Sequence, residues 1–255
     1  DTYGSRATAV GGQALVMCAE KLVAKARILA AALLGISPHK VKFQPGLFRV
    51  KGKPKAAVDW KRLAAEAYVA KNLPPGFEPG LEASSFFEPP NCTFSFGTHL
   101  VAAEVDRETG EVKLHKYVAV DDCGTQVNPL LVEGQVQGGI AHSLGQVLME
   151  RTVYDENGQL LTGEFTDYAM PRARDIPPYV FAKSVTRSPN NTLGVKGVGE
   201  SGTIGANPAI ANAVLDALAP LGIRHIDTPL LPEKLWRAIQ AAASAHGQSQ
   251  QRSLS

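Results

Sequence analysis

An α+β fold, with mixed sheets packed by helices and two lobes joined near residues 73–90, is what the hydrophobic patterning of this 255-residue chain predicts. Three observations carry that prediction. Apolar residues recur at helical spacing over residues 7–34. From Phe94 the pattern changes to alternation on either side of a turn, and helical periodicity then returns over residues 130–149 and twice more near the end.

Taken in order, residues 7–34 make one long helix with Lys21, Lys25 and Arg27 on its wet side, stopping at Gly35 before Pro38. Residues 41–50 read as short strands around the Pro45-Gly46 turn, and Asp59 is a good N-cap for a helix from Trp60 to about Ala70. A connector rich in Pro and Gly follows over residues 73–81. Residues 100–105 and 112–120 flank Arg107-Glu-Thr-Gly110, which predicts a β-hairpin whose downstream end runs into the polar loop Asp121 to Pro129. The helix over residues 130–149 contains Gly134, Gly138, Gly139 and Gly145, each costing roughly 1 kcal/mol against Ala, so another backbone or a ligand is expected close to it. Strand-like pieces around Val153, Leu160 and residues 180–185 lead into a glycine-rich stretch over residues 194–205. Helices over residues 208–218, with Pro208 in the first turn, and 232–243 close the fold. The expected layout is a domain over residues 1–245, with lobes about 1–90 and 91–245, and a disordered polar tail over residues 246–255.

Composition narrows the function. With 26 basic and 24 acidic residues, a formal charge of +2 and no basic cluster, there is no electrostatic footprint for nucleic acid or an anionic membrane. Cys18, Cys92 and Cys123 are far apart, which signals neither a disulfide framework nor a protein-built zinc or iron-sulfur site. The longest apolar stretch, residues 22–34, contains Lys25 and Arg27 and is too short for a bilayer, so a cytoplasmic protein is expected. The chain opens at Asp1 without an initiator Met and runs at once into a long helical pattern, as a fragment would.

Gly197-Val-Gly-Glu-Ser-Gly202 matches G-x-G-x-x-G in form, but a dinucleotide-binding loop is rejected on three grounds. The match lies near the end of the chain, with its helix expected only at Pro208. Glu200 would aim negative charge at a pyrophosphate. The acid near the expected downstream spacing, Asp216, sits on a helix rather than at a strand end. What the loop offers instead is one carboxylate among Val195, Val198 and Ile204, a poorly solvated setting in which a general base is expected. On this loop alone a surface glutamate in a turn is the stronger reading.

Four motifs together, Gly4-Ser-Arg6, Asp121-Asp-Cys-Gly-Thr-Gln-Val-Asn-Pro129, Val132-Glu-Gly-Gln-Val-Gln-Gly-Gly139 and Lys196-Gly-Val-Gly-Glu-Ser201, resemble in order and spacing the C-terminal, molybdopterin-binding part of xanthine oxidase family large subunits. The likeness runs over nearly all of residues 1–243 and is greatest to the bacterial branch with aerobic carbon monoxide dehydrogenase. It implies a molybdenum-dependent hydroxylase or dehydrogenase acting on an aldehyde, an N-heterocycle or carbon monoxide with water-derived oxygen. Glu200 would be its base. The cofactor implied is molybdenum held by molybdopterin cytosine dinucleotide, with no protein side chain as a main metal ligand, and it carries the redox chemistry. The partners implied are the N-terminal part of the large subunit, an FAD-binding medium subunit and a small subunit with 2Fe-2S clusters. That N-terminal part would bring the rest of the molybdenum site and the loop that selects substrate.

The same resemblance assigns the remaining site residues. Thr2, Tyr3, Gly4 and Ser5 would present N–H groups and hydroxyls to phosphate where the long helix begins, although Ser5 also reads as a plain N-cap. Asp121, Thr125, Gln126 and Asn128 would face the nucleotide, or form only an Asx-rich turn closed by Pro129. Gln135 would hydrogen-bond the pterin while Gly138 and Gly139 let the helix approach it. Lys196 would neutralise cofactor charge or be merely a solvated lysine, and Gly197, Val198 and Gly199 would line the cofactor beside Glu200. His142 reads as a helix-face histidine. A non-catalytic cofactor-carrying or assembly relative is the alternative, and the isolated acid at Glu200 argues against it.

Overall fold

The computed structural model describes residues 3–252, with side chains described throughout except at position 54 and beyond Ala245. It divides into two compact units, residues 10–90 and the remainder, so the first nine residues group with the later lobe and not with the earlier one.

In the unit of residues 10–90, the π-type turn Thr8–Gly12 leads into α1 (Gln13–Leu33). The expected long helix is thus regular only from Gln13, beyond the Gly11-Gly12 pair that loosens the backbone. Three antiparallel strands follow in sequence order, β1 (Val41–Gln44), β2 (Leu47–Val50) and β3 (Lys53–Asp59). β3 was not foreseen, because its Lys-Pro-Lys-Ala-Ala start carries little strand propensity and pairing with β2 supplies the order instead. Asp59 caps α2 (Trp60–Ala67), its Oδ1 accepting from the Arg62 N–H at 2.8 Å. Leu29, Phe48, Val58 and Leu63 are fully or nearly fully buried in the core these elements share.

The other unit is built on a mixed sheet of order β4-β5-β6, with β4 (Phe96–Val105) antiparallel and β6 (Tyr179–Ser184) parallel to the central β5 (Val112–Asp122). The hairpin turn is tied by Asp106, whose Oδ1 accepts from the Glu108 and Thr109 N–H groups. Gly110 ends the turn at φ +76°, and a Cβ there would stand 2.0 Å from the Pro232 carbonyl oxygen, so no other residue fits. A bulge between Ala102 and Ala103 shifts the register by one residue, so that His99, Val101 and Tyr117, Ala119, Asp121 share the inner face.

Two helices cover that face. α3 (Pro129–Leu148) starts with Pro129 at its first position and Asn128 as cap, the side chain accepting from the Leu131 N–H at 3.3 Å. α4 runs over Ser201–Leu218, seven residues earlier than Pro208 suggested. Pro208 lies inside the helix, where it leaves one carbonyl without its helical donor, and burial of Ala206, Ile210, Val214 and Leu218 on the sheet offsets that loss. α3 and α4 cross at glycines. A Cβ on Gly202 would lie 2.4 Å from the Val136 oxygen, and one on Gly139 2.7 Å from the Thr203 nitrogen. α5 spans Pro232–Arg252, so the segment from His246 to Arg252 is helical rather than a disordered tail. Among the described residues no helix is long and apolar enough to cross a membrane.

Candidate functional site

Loop 185–200 is pinned before it reaches Glu200. Val195 pairs with Gly124 in an isolated bridge, the Lys196 N–H donates to the Cys123 oxygen at 2.8 Å, and the buried Asn191 side chain bonds both the N–H and the oxygen of Val195. Gly197 and Gly199 then pass against residues 4 and 5. A Cβ on Gly197 would meet the Gly4 oxygen at 2.4 Å and one on Gly199 the Ser5 Oγ at 2.9 Å. Gly197 is therefore a steric requirement of this crossing, since it faces backbone, whereas Gly199 faces side-chain atoms, the Ser5 hydroxyl nearest.

Glu200 sits at the N-terminal boundary of α4, and its Oε2 accepts from the Ser5 hydroxyl at 2.9 Å. Ser5 takes φ +52°, the one positive value among the described non-glycine residues, directly after Gly4 at +60°. Such a conformation costs on the order of 1–3 kcal/mol and persists where surroundings impose it. This corrects the sequence reading on two points. Ser5 is not the N-cap of α1, and its hydroxyl is engaged by Glu200. Tyr3 is exposed under the Arg6 guanidinium, 3.9 Å from its ring centroid, while Thr2 lies outside the described residues. The poorly solvated setting expected for Glu200 is not supplied by this chain, since the residue is exposed.

Beside Glu200 opens a hollow of about 260 Å³, lined by Gly134, Gln135, Gly138, His142, Gly199 and Thr203 among others. Gln135 is brought next to the loop, its Oε1 3.5 Å from where a Gly199 Cβ would be. Gly134 and Gly138 face open space, whereas Gly139 borders the hollow but also abuts the α4 backbone.

The polar loop divides differently from expectation. Asn128 caps α3, and the Thr125 N–H donates to the Gly194 oxygen. Gln126 is half-buried, and its side chain turns to the buried Cys123 thiol. Asp121 turns inward, 3% exposed, with Oδ2 3.3 Å from His99 Nε2. Lys196 is neither solvated nor free, because its Nζ lies 3.0 Å from Asp122 Oδ1 and 4.6 Å from the Phe96 ring centroid.

The partner Asp122 was missed in sequence, since 74 residues separate the pair and nothing local marks it. Burial pushes the Asp122 carboxyl up, but the Gly124 N–H, the Lys196 ammonium and the Thr186 hydroxyl more than offset this and hold it at about 2. A folded value below the unfolded one stabilises the fold above about pH 4, and that contribution, on the order of 2 kcal/mol, is lost as pH falls through about 2. Lys196→Met, which strands the buried carboxylate, is expected to cost about 3–5 kcal/mol in a denaturant titration at neutral pH. A loss below about 1 kcal/mol would show that the pair contributes no more than a surface salt bridge.

Comparison with known proteins fits this geometry to a family. Residues 1–177 match the molybdopterin cofactor-binding domain. The chain belongs to that family. Among relatives of this molybdopterin-binding chain, the carbon monoxide dehydrogenase large chain of Hydrogenophaga pseudoflava is 38% identical over 240 residues, covering 94% of this chain and 30% of the relative. The nicotine 6-hydroxylase large subunit of Paenarthrobacter nicotinovorans is 37% identical, covering 96% and 30% respectively. Reconstituted CO dehydrogenase from Oligotropha carboxidovorans superposes with a TM-score of 0.86 at 38% identity, over 96% of this chain and 30% of that one. The fold is thus the α+β molybdopterin-binding fold of these enzymes, and the molybdopterin-binding chain spans about 30% of their length.

Proposed function

We propose that this chain is the C-terminal part of the catalytic large subunit of a cytoplasmic molybdenum hydroxylase or dehydrogenase, with Glu200 as its general base. The observation that carries the reading is the Ser5–Glu200 bond, which holds one carboxylate oxygen at the rim of a glycine-lined hollow beside Gln135. A base needs a fixed position and a free lone pair, and fixing Oε2 leaves Oε1 to accept the substrate-side proton.

The donor set suits molybdopterin. Gly134 and Gly138 leave open space on α3, and Gln135 can both donate and accept at a pterin edge. Gly199 brings backbone to the rim of the hollow, and Gly197 packs beside it on Gly4 and Ser5, while backbone contacts to the cofactor from Tyr3, Gly4, Val198 and Thr125 belong to this reading. When bound, as the cytosine dinucleotide, the cofactor supplies the two-electron oxidation of an aldehyde, N-heterocycle or carbon monoxide, with water-derived oxygen. The chain's own work is to orient that cofactor through Gln135 and to move one proton at Glu200. Lys196 serves at one remove, neutralising Asp122 and so fixing the strand end next to the loop.

The exposure of Glu200 fits a site whose other wall is the N-terminal part of the large subunit, which would exclude water. The words large chain and large subunit in the relatives' names support further subunits, here an FAD-binding medium subunit and a 2Fe-2S small subunit. Metal and nucleotide analysis of the protein purified with its partners is expected to give about one molybdenum and one released CMP per chain, the one-to-one stoichiometry of a specific cofactor site. Purification with flavin and iron-sulfur partners but no molybdenum would favour a non-catalytic relative instead.

A further inference from the structure

Behind the α4 terminus lies a chain of three buried polar side chains that the proposed reaction does not use. Tyr117, fully buried on β5, stands with its hydroxyl 2.7 Å from His99 Nδ1 on β4, and His99 Nε2 stands 3.3 Å from Asp121 Oδ2. The side chains of His99 and Asp121 are 2% and 3% exposed. Burial, and after it the Asp121 charge, pushes the Tyr117 hydroxyl well above the usual phenol range. Tyr117 therefore keeps its proton, and beside a neutral imidazole it donates to Nδ1 while the ring hydrogen on Nε2 donates to Asp121.

This relay bears on α4. A Cβ on Gly205 would lie 2.7 Å from His99 Cε1, so the helix backbone rests directly on the imidazole. Ser201, the first residue of α4, bonds Ser95 at 3.3 Å and, with Gly205, His99 and Asp121, lines a small pocket of about 110 Å³. The Asp121 carboxylate thereby faces the first turn of α4, where the helix dipole favours an anion. Glu200 is the residue immediately before that turn. Packing alone would not need this arrangement, since apolar side chains of the same volume fill such a space without the cost of burying a carboxylate and an imidazole.

We propose that Tyr117, His99 and Asp121 form a buried hydrogen-bond relay that positions the first turn of α4 and, through it, the Glu200 carboxylate. The inference rests on the general-base reading of Glu200, and all three are positioning residues. The test uses the cofactor-loaded full complex. His99→Leu is expected to lower kcat about ten-fold or more with KM and molybdenum content unchanged, since displacing a base weakens the transition state more than substrate binding. His99→Gln, whose amide can still donate towards Asp121, is expected to recover part of the loss. A crystal structure of the His99→Leu complex is expected to show the Ser5–Glu200 bond broken.

A His99→Leu complex that keeps kcat within about two-fold, or loses activity only in proportion to molybdenum, overturns the proposal. Should His99→Leu fail to assemble, Tyr117→Phe removes one bond and keeps the ring. Its kcat is expected to fall about three-fold or more at constant KM, and an unchanged kcat overturns the proposal equally. Glu200→Gln measured in parallel separates the two claims. If it retains turnover, the general-base reading is what fails; if it loses turnover while His99→Leu does not, the relay alone fails.

Discussion

Glu200→Gln in the assembled, cofactor-loaded enzyme is expected to reduce kcat by about 10²–10⁴-fold while KM and molybdenum content stay near wild type. The substitution is isosteric, and the amide oxygen can still accept from Ser5 Oγ, so the loop between Gly197 and α4 keeps its path. What is lost is the basic oxygen, and the loss corresponds to about 3–5 kcal/mol of transition-state stabilisation at 1.36 kcal/mol per decade. A parallel fall in molybdenum content would assign Glu200 to holding the cofactor, and turnover within a few-fold of wild type would remove it from the chemistry. Ser5→Ala should show the same signature more weakly, because the carboxylate remains but its orientation is no longer fixed.

Gly202→Val is expected to lower stability by forcing two packed helices apart. Its Cβ would stand 2.4 Å from the Val136 oxygen and 3.0 Å from the Val136 Cα, both backbone atoms that cannot rotate away. α3 and α4 must then separate, which typically costs about 1–3 kcal/mol in a close-packed interior, and the separation draws Gln135 away from Gly199. In a unit of this size the melting temperature should fall by roughly 2–4 °C per kcal/mol. Gly138→Ala is the control, because its Cβ meets nothing within 4 Å and Ala is the better helix former by about 1 kcal/mol. Equal melting temperatures for Gly202→Val and wild type would show that the helix crossing tolerates a side chain.

How much of this could be read from the sequence depends on whether the deciding contact is local. The Asp59 cap, the Asp106 to Gly110 turn and the Asn128-Pro129 start of α3 are local signals, and the structure has all three. The start of α4 is not local. Gly202 and Gly205 count against a helix by propensity, yet they are there because Val136 and His99 occupy the space of their side chains, and Pro208 then passes for a first turn.

The site followed the same division. The co-ordered motifs singled out both α3 and the 196–201 loop, and the structure brings Gln135 of the one next to Gly199 of the other. They did not disclose that Asp121 turns inward to His99. Without the bulge after Ala102, the turn register would set His99 opposite Val118 and not Ala119, and every inner residue beyond it would change face. The alternation Tyr117-Ala119-Asp121 was visible as a signal, but its partner strand was not. The Lys196–Asp122 pair and the left-handed Ser5 likewise depend on segments far apart in sequence.

A crystal structure of the cofactor-loaded complex tests the central claim most directly. The account predicts the pterin in the hollow between Gln135 and Gly199, with the Glu200 carboxylate beside the molybdenum and still bonded to Ser5. A cofactor bound elsewhere on the chain, or a Glu200 that faces solvent away from the metal, would contradict it.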